Sequence, residues 1–295
     1  MTRRRNLERH RHNLVEIRGI MNSMKTLAYM ETRKLDRFLD AQHAVVRGIE
    51  AAAADLLGFH PNALPDSTAT TTAYLVAGTE RGFCGDFNHV LLKSLESALA
   101  AQPVDVPLLI AVGHKLHTLL EGDTRVAAML DGASVAEEIT ALINQVVNAL
   151  AAIQARHGAL NVYCLYNGGD EGILARQLLP PFQDVAHDPP RYSHPPMLNL
   201  SPRESLSGLT EHYLFAALHE MFYTSLMVEN QHRVTHLEGA VRHLDDKSME
   251  LTRRCNALRQ EEIIEEIEVI LLSAASLGER PDRHDETGRH RSYTR

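Results

Sequence analysis

Two long proline-free stretches, one near each end of the chain, restrict its fold more than any other feature. From Leu14, the residues Ile17, Met21, Met24, Ala28, Leu35, Phe38, Val45, Ile49, Ala52 and Leu56 recur at steps of three, four or seven, and Glu31 and Gln42 are polar members of the same stripe. The next proline is Pro61, so one continuous helix is predicted over this stretch. The stripe occupies only about two positions in seven, and the opposite face carries Arg18, Lys25, Arg33, Lys34 and Arg37. Such a narrow, sustained stripe predicts a coiled-coil seam and not a helix lying on a broad core.

The second stretch opens on Ser201-Pro202-Arg203-Glu204, where serine can cap, proline suits the first helical position and glutamate can close a capping box. It then runs without proline to Leu277, where Gly278 and Pro281 supply a stop. Leu237, Ala240, Leu244, Ser248, Leu251, Cys255 and Leu258 repeat in threes and fours, and Ile263, Ile264, Ile267, Ile270 and Leu271 thicken the stripe. At the α-helical rise the second helix spans roughly 110 Å and the first roughly 75 to 80 Å, too long to fold inside a compact domain of this mass. The expected arrangement is therefore an antiparallel two-helix coiled coil. Small residues at Gly239, Ala240 and Ser248 admit two explanations, close backbone approach or a helix surface shaped to slide against something else.

Between the helices the pattern changes. After a turn-rich linker from Gly58 to Ser67, Thr72–Ala77, Val106–Val112 and Leu160–Tyr166 read as buried strands, separated by helical patterns at Asn88–Leu99, His114–Leu120 and Ala133–Ala155. This alternation predicts a Rossmann-like α/β domain with a parallel or mostly parallel sheet. Pro180-Pro181 ends it, and the chain is expected to run extended through Pro189-Pro190 and Pro195-Pro196. The expected boundaries are an N-terminal helix at 1–57, an α/β domain at 72–181, a C-terminal helix at 201–278 and a polar tail at 279–295.

Several function classes lose support on composition. No apolar run reaches the roughly 18 residues of a membrane span, and the start at Met1-Thr-Arg-Arg-Arg leads into polar sequence, so the chain is expected in the cytosol or on the cytosolic side of a membrane reached through partners. A net charge of -8 spread along the chain argues against nucleic-acid binding, although Arg3-Arg4-Arg5, His10-Arg11-His12 and the run Arg289–Arg295 are basic. Cys84, Cys164 and Cys255 are widely spaced and form no CxxC pair, which predicts free buried thiols.

The most suggestive loop for chemistry is Gly78-Thr-Glu-Arg-Gly-Phe-Cys-Gly-Asp-Phe-Asn88, placed after a strand and before a helix as in phosphate-binding α/β domains. Its glycine spacing is not GxGxxG, and the chain contains no GxxxxGK[ST], so tight packing of loop and helix is the reading adopted. Cys84 with His89 and Asp86 lacks a separate orienting partner, and an inert thiol is expected. Glu229, His232 and His236 lie on one helix without HExxH, so solvent-facing histidines are expected in place of a metal site, with Glu229–Arg233 and Glu250–Arg254 as surface pairs. No catalytic, cofactor-binding or metal-binding residue is expected.

Four local strings, in order along the chain, give this plan a family resemblance. Ile20-Met-Asn-Ser-Met-Lys-Thr-Leu-Ala28 resembles the first-helix Lys-Ala-Met string of the gamma subunit of rotary F-type ATP synthases. Arg81-Gly-Phe-Cys-Gly85 with Asn88 resembles that family's RGLCGGLN loop, Tyr166-Asn167 its tyrosine-asparagine pair, and Asn256-Ala-Leu-Arg-Gln-Glu-Glu-Ile-Ile-Glu-Glu-Ile267 its NxxRQxxITxE string. The resemblance covers about Leu14 to Leu277. It implies a non-catalytic central rotor-stalk subunit, with partners in the alpha and beta subunits, the epsilon subunit and the membrane c-ring, on the cytoplasmic face of the inner membrane. It further implies partner contacts at Arg259, Gln260 and Glu266, and secondarily at Met24 and Lys25. The family lysine falls at Asn22 and its threonine at Ile264, departures that suit a diverged paralogue from an alternative sodium- or proton-translocating ATPase. The competing readings are a free-standing coiled-coil scaffold and an α/β cysteine hydrolase built on Cys84.

Overall fold

The computed structural model describes residues 2–64, 71–101, 107–183 and 192–278. The extended run at Pro189-Pro190, the start of the expected strand at Val106 and the charged tail from Glu279 lie outside these residues. In chain order the elements are α1 (Thr2–Phe59), β1 (Thr71–Ala77), α2 (Phe87–Ala101), β2 (Leu108–Val112), α3 (His114–Leu119), β3 (Val126–Leu130), α4 (Ile139–His157), β4 (Leu160–Asn167), β5 (Ile173–Leu179) and α5 (Pro202–Gly278). The chain forms two units, a larger one of Met21–Ala240 and a smaller one of Met1–Ile20 with the chain from Val241. No described helix is long and apolar enough to cross a membrane.

In the larger unit the strands are ordered β3-β2-β1-β4-β5, with the first four parallel and β5 antiparallel to β4. The period-two alternation of β1 divides the core. Ala73, Leu75 and Ala77 join a cluster with Ile139, Ile143 and Val146 of α4 and with both long helices, while Tyr74 and Val76 join Leu91 and Leu95 of α2 and Leu116 of α3. Strand order runs outward from β1 to β3 and then jumps back to β4. Right-handed crossovers therefore put α2 and α3 on one face and α4 on the other. Two of the five strands escape sequence patterning for physical reasons: β3 alternates half-buried and exposed residues, and β5 carries Arg176 and Gln177.

The long helices pack antiparallel within this unit. Phe38 lies beside Tyr223 with ring centroids 5.9 Å apart, and Gln42 Nε2 donates to the Ala216 carbonyl at 2.9 Å. The seam of α1 differs from the expected stripe at alternate positions. Leu35 and Leu56 are buried as expected, but Leu39, Val46 and Ala53 are buried in place of the neighbouring Phe38, Val45 and Ala52 of the predicted stripe, and Phe38, Val45 and Ala52 are exposed. The buried positions rise in steps of four then three, so the choice between adjacent apolar residues depended on the direction of the partner surface. The polar members of the stripe are docking points. Besides Gln42, Glu31 accepts the Ala136 N–H at 2.7 Å, at the turn leading into α4.

The N-terminus of α5 is closed as its opening residues predict: the Ser201 N–H donates to Glu204 Oε2 at 3.0 Å and the Glu204 N–H to Ser201 Oγ at 3.3 Å. In the smaller unit Arg18 pairs with Asp245, Arg4 Nε lies 3.1 Å from Glu262, and Val241, Leu251 and Cys255 form the buried line of α5. Beyond Cys255 the structure corrects the expectation of a thickened seam. Ile263, Ile264, Ile267, Ile270 and Leu271 are exposed, because the described residues place no second surface over them. A Cβ on Gly239 meets nothing within 4 Å, so close approach does not account for that glycine.

Candidate functional site

The loop from Gly78 to Asn88 leaves the carboxyl end of β1 and enters α2, with its backbone held by its own residues. Asn88 Oδ1 accepts the Thr79 N–H at 3.0 Å, and Asn88 Nδ2 donates to Thr79 Oγ1 at 2.9 Å. A Cβ on Gly78 would lie 2.6 Å from Leu116 Cβ, so only glycine lets the loop pass this close to α3. Gly85 and, more unusually, Phe83 adopt left-handed backbone angles, with φ of 63° and 66°.

In an open α/β domain, ligands enter the crevice outside the carboxyl ends of the strands, where strand order reverses. Here α5 lies across that end of the sheet, from the end of β1 to Gly169 after β4, where a Cβ would lie 3.3 Å from Val228. Ser225 Oγ lies 3.4 Å from the Ala77 carbonyl, and Ala77, Gly78, Val112, Phe222, Ser225 and Glu229 line a common crevice of only about 20 Å³. One turn on, Arg233 spends its guanidinium on four groups. Nε donates to the Gly82 carbonyl at 3.2 Å, Nη1 to Asn230 Oδ1 at 2.7 Å, and Nη2 to Cys84 Sγ at 3.4 Å and to Glu229 Oε1. Glu229 Oε1 also accepts the Arg81 N–H at 3.4 Å. The loop that would otherwise cradle a phosphate is bonded to a helix.

Glu229 and Arg233 are therefore not the surface pair predicted from their spacing; their side chains are 5% and 6% exposed. Burial pushes the Glu229 carboxyl up from its ordinary value, opposed by Arg233 and by backbone N–H groups of Arg81 and Glu80. Burial, and then the Glu229 charge, pushes the Cys84 thiol up to about 12, with Arg233 acting the other way. Cys84 lies within 3.5 Å of the carbonyls of Arg81 and Gly82, whereas His89 and Asp86 are exposed. A neutral, packed thiol held this way is no nucleophile. His232 also departs from its expected solvent-facing position, packing edge-on against Phe87 with centroids 5.7 Å apart, while His236 is exposed.

A second, half-buried charge cluster ties the edge strand to both long helices. Arg176 of β5 donates through Nη1 to Glu220 of α5 and through Nη2 to Glu50 of α1, each at 2.5 Å, and sits 5.5 Å from the centre of the Tyr213 ring. No sequence motif marks it, since Glu50 and Glu220 lie 126 and 44 positions away. Of the residues marked for partner contact, Arg259, Gln260 and Glu266 are exposed on α5 in the smaller unit. In the larger unit Lys25 is half-buried, and Met24 lines a cleft of about 180 Å³ with Leu27, Glu31, Arg81, Asn230 and Arg233.

Antiparallel terminal helices, with a Rossmann-like domain whose ligand crevice is covered by one of them, define the architectural class of this chain. The ATP synthase family model matches residues 3–277, and the chain belongs to that family, as a non-catalytic subunit of the gamma, central-stalk type. Its fold is similar to a chain of the central stalk/c-ring structure of the Tetrahymena thermophila mitochondrial ATP synthase, at TM-score 0.52 and 14% identity over 75% of this chain and 99% of that one. It is also similar to a chain of the Euglena gracilis mitochondrial ATP synthase rotor (TM-score 0.59, 15% identity, 89% and 99% covered) and to one of that enzyme's OSCP/F1/c-ring assembly (0.62, 14%, 97% and 99%). No curated protein matches the sequence at a significant level.

Proposed function

We propose that this subunit turns as the axle of a rotary ATP synthase or ATPase, with its long helices inside a ring of alpha and beta subunits and its α/β domain against a membrane c-ring and an epsilon-type subunit. One observation carries this reading: two charge clusters, a buried one at Arg233 and a half-buried one at Arg176, fasten the α/β domain to the long helices, so torque applied to the domain is delivered to them. The same reading makes the subunit peripheral, at the cytoplasmic face of the inner membrane, reached through its partners. Co-purification from native membranes should recover alpha-like, beta-like and c-type subunits with it; recovery of a self-associated dimer alone would favour a free-standing scaffold.

Coupling to the ring is assigned to Arg259, Gln260 and Glu266, with Met24 and Lys25 as lesser contributors. Arg259 and Gln260 are exposed neighbours on α5. A guanidinium can hold a carboxylate through two parallel hydrogen bonds, and the adjacent amide can bond backbone groups. Ile264 offers no hydroxyl, which leaves more of the polar contact to this pair. Replacing both by alanine preserves helix propensity, and it should lower ATP-driven ion pumping by more than it lowers subunit association. Pumping and turnover equal to the parent in the assembled double variant would remove the assignment.

A further inference from the structure

We propose that His114, His117 and Asp131 form a binding site for a divalent transition-metal ion of the zinc class, at the carboxyl edge of the sheet. One ring nitrogen of each histidine and a carboxylate oxygen of Asp131 lie within 4.8 Å of one another. Two imidazoles and a carboxylate are a ligand set that zinc accepts, with a fourth position left to water or a partner group.

The backbone beneath these side chains is held on both sides. Glu80 Oε2 accepts the N–H of His114 at 2.9 Å and the N–H of Gly132 at 2.7 Å, so one carboxylate oxygen pins the start of α3 to the residue after Asp131. The two segments touch there. A Cβ on Gly132 would lie 3.2 Å from Gly113 Cα, and Gly113 itself has φ of 108° with the carbonyls of Gly78 and Thr79 2.8 Å from any Cβ it might carry. His114 and Asp131 are therefore brought together by a frame that does not depend on a metal.

His117 carries a further mark of a ligand. Its Nε2 lies 3.2 Å from the Ala111 carbonyl. A carbonyl oxygen can only accept, so Nε2 bears the proton and Nδ1 keeps its lone pair, the arrangement by which metal-binding histidines are oriented through their second nitrogen. In tetrahedral coordination at about 2.1 Å, ligand atoms stand about 3.4 Å apart, so the exposed His114 and Asp131 side chains need to rotate inward only slightly. The bound ion cross-links α3 to the segment after β3, and so stiffens the edge of the sheet from which the Arg81 loop springs.

The test uses the purified full chain and cobalt(II) as a spectroscopic stand-in for zinc. One equivalent should give the visible absorption of a tetrahedral nitrogen-and-oxygen site, zinc should displace it, and zinc should raise the melting temperature of the parent. His114→Ala and Asp131→Asn, both at exposed positions, should each weaken binding tenfold or more and abolish the thermal shift, with unchanged circular dichroism. The proposal is overturned by a parent chain that gives no such spectrum, by a spectrum that persists in the two variants, or by a thiolate charge-transfer band that puts the metal on a cysteine.

Discussion

Arg233 concentrates most of what one side chain can do in this molecule. It satisfies a carbonyl, an amide, a thiol and a carboxylate in a place almost closed to water, and a planar five-donor fork is the only side chain able to reach all four. Arg233→Ala leaves the buried Glu229 without its cation, so the carboxyl must take up a proton or stay as an uncompensated charge, and the full chain should lose about 3–5 kcal/mol of stability in denaturant unfolding. Replacing the pair together, as Glu229→Gln with Arg233→Met, removes both charges and should cost clearly less than the single change; equal losses would show that the charges are not coupled. Cys84 tests the same environment from the other side. With its thiol held up at about 12, almost none is thiolate at pH 8, so alkylation in the native chain should be far slower than that of a free cysteine and should recover on denaturation. Rapid native alkylation at Cys84 would mean that the loop opens in solution.

At the scale of elements, the joins of the long helices to the α/β domain and to each other are made by polar residues in otherwise apolar stripes. Glu31 and Gln42 interrupt the stripe of α1, and Glu229 and Asn230 lie in the most buried stretch of α5; three of these four bond to a neighbouring element, while Asn230 bonds back within α5 and orients Arg233. Each interruption costs little because its partner is built into the facing element. The Gly78 loop shows the opposite strategy, closeness without a side chain. In Gly78→Ala the new methyl meets Leu116 and Asn88 Oδ1 within 3 Å, and either α3 or the Asn88–Thr79 bonds must give way. A destabilisation of about 1–3 kcal/mol is expected, read as a lowered thermal midpoint. An unchanged midpoint would mean that α3 is free to move aside.

For the whole molecule, the decisive fact is what occupies the crevice of a nucleotide-binding type of sheet. The loop after β1 has the position of a phosphate cradle, but Glu229 and Arg233 occupy its approach, and their hydrogen bonds to the Arg81 N–H and the Gly82 carbonyl close the loop with protein groups. The isolated chain should therefore bind no ATP at micromolar concentrations in an equilibrium titration, and measurable binding in that range would overturn the mechanical reading of the α/β domain.

The long helices, their antiparallel pairing, the α/β alternation and the loop from Gly78 to Asn88 were all legible in the residues. Each is encoded locally, by a period of three and four, a capping box, or glycines at a turn. Three features had to wait for the tertiary structure. The exact seam of α1 at Leu39, Val46 and Ala53 depended on where α5 approaches, because adjacent apolar residues satisfy the same pattern. Strands β3 and β5 are half-buried edges whose mixed residues make sense only beside their neighbours. The conversion of Glu229 and Arg233 from a surface pair to a buried clasp, like the Arg176 cluster with Glu50 and Glu220, depends on segments far apart in the chain. Helical spacing alone sets which residues share a face, but burial is decided by what the rest of the chain lays over that face.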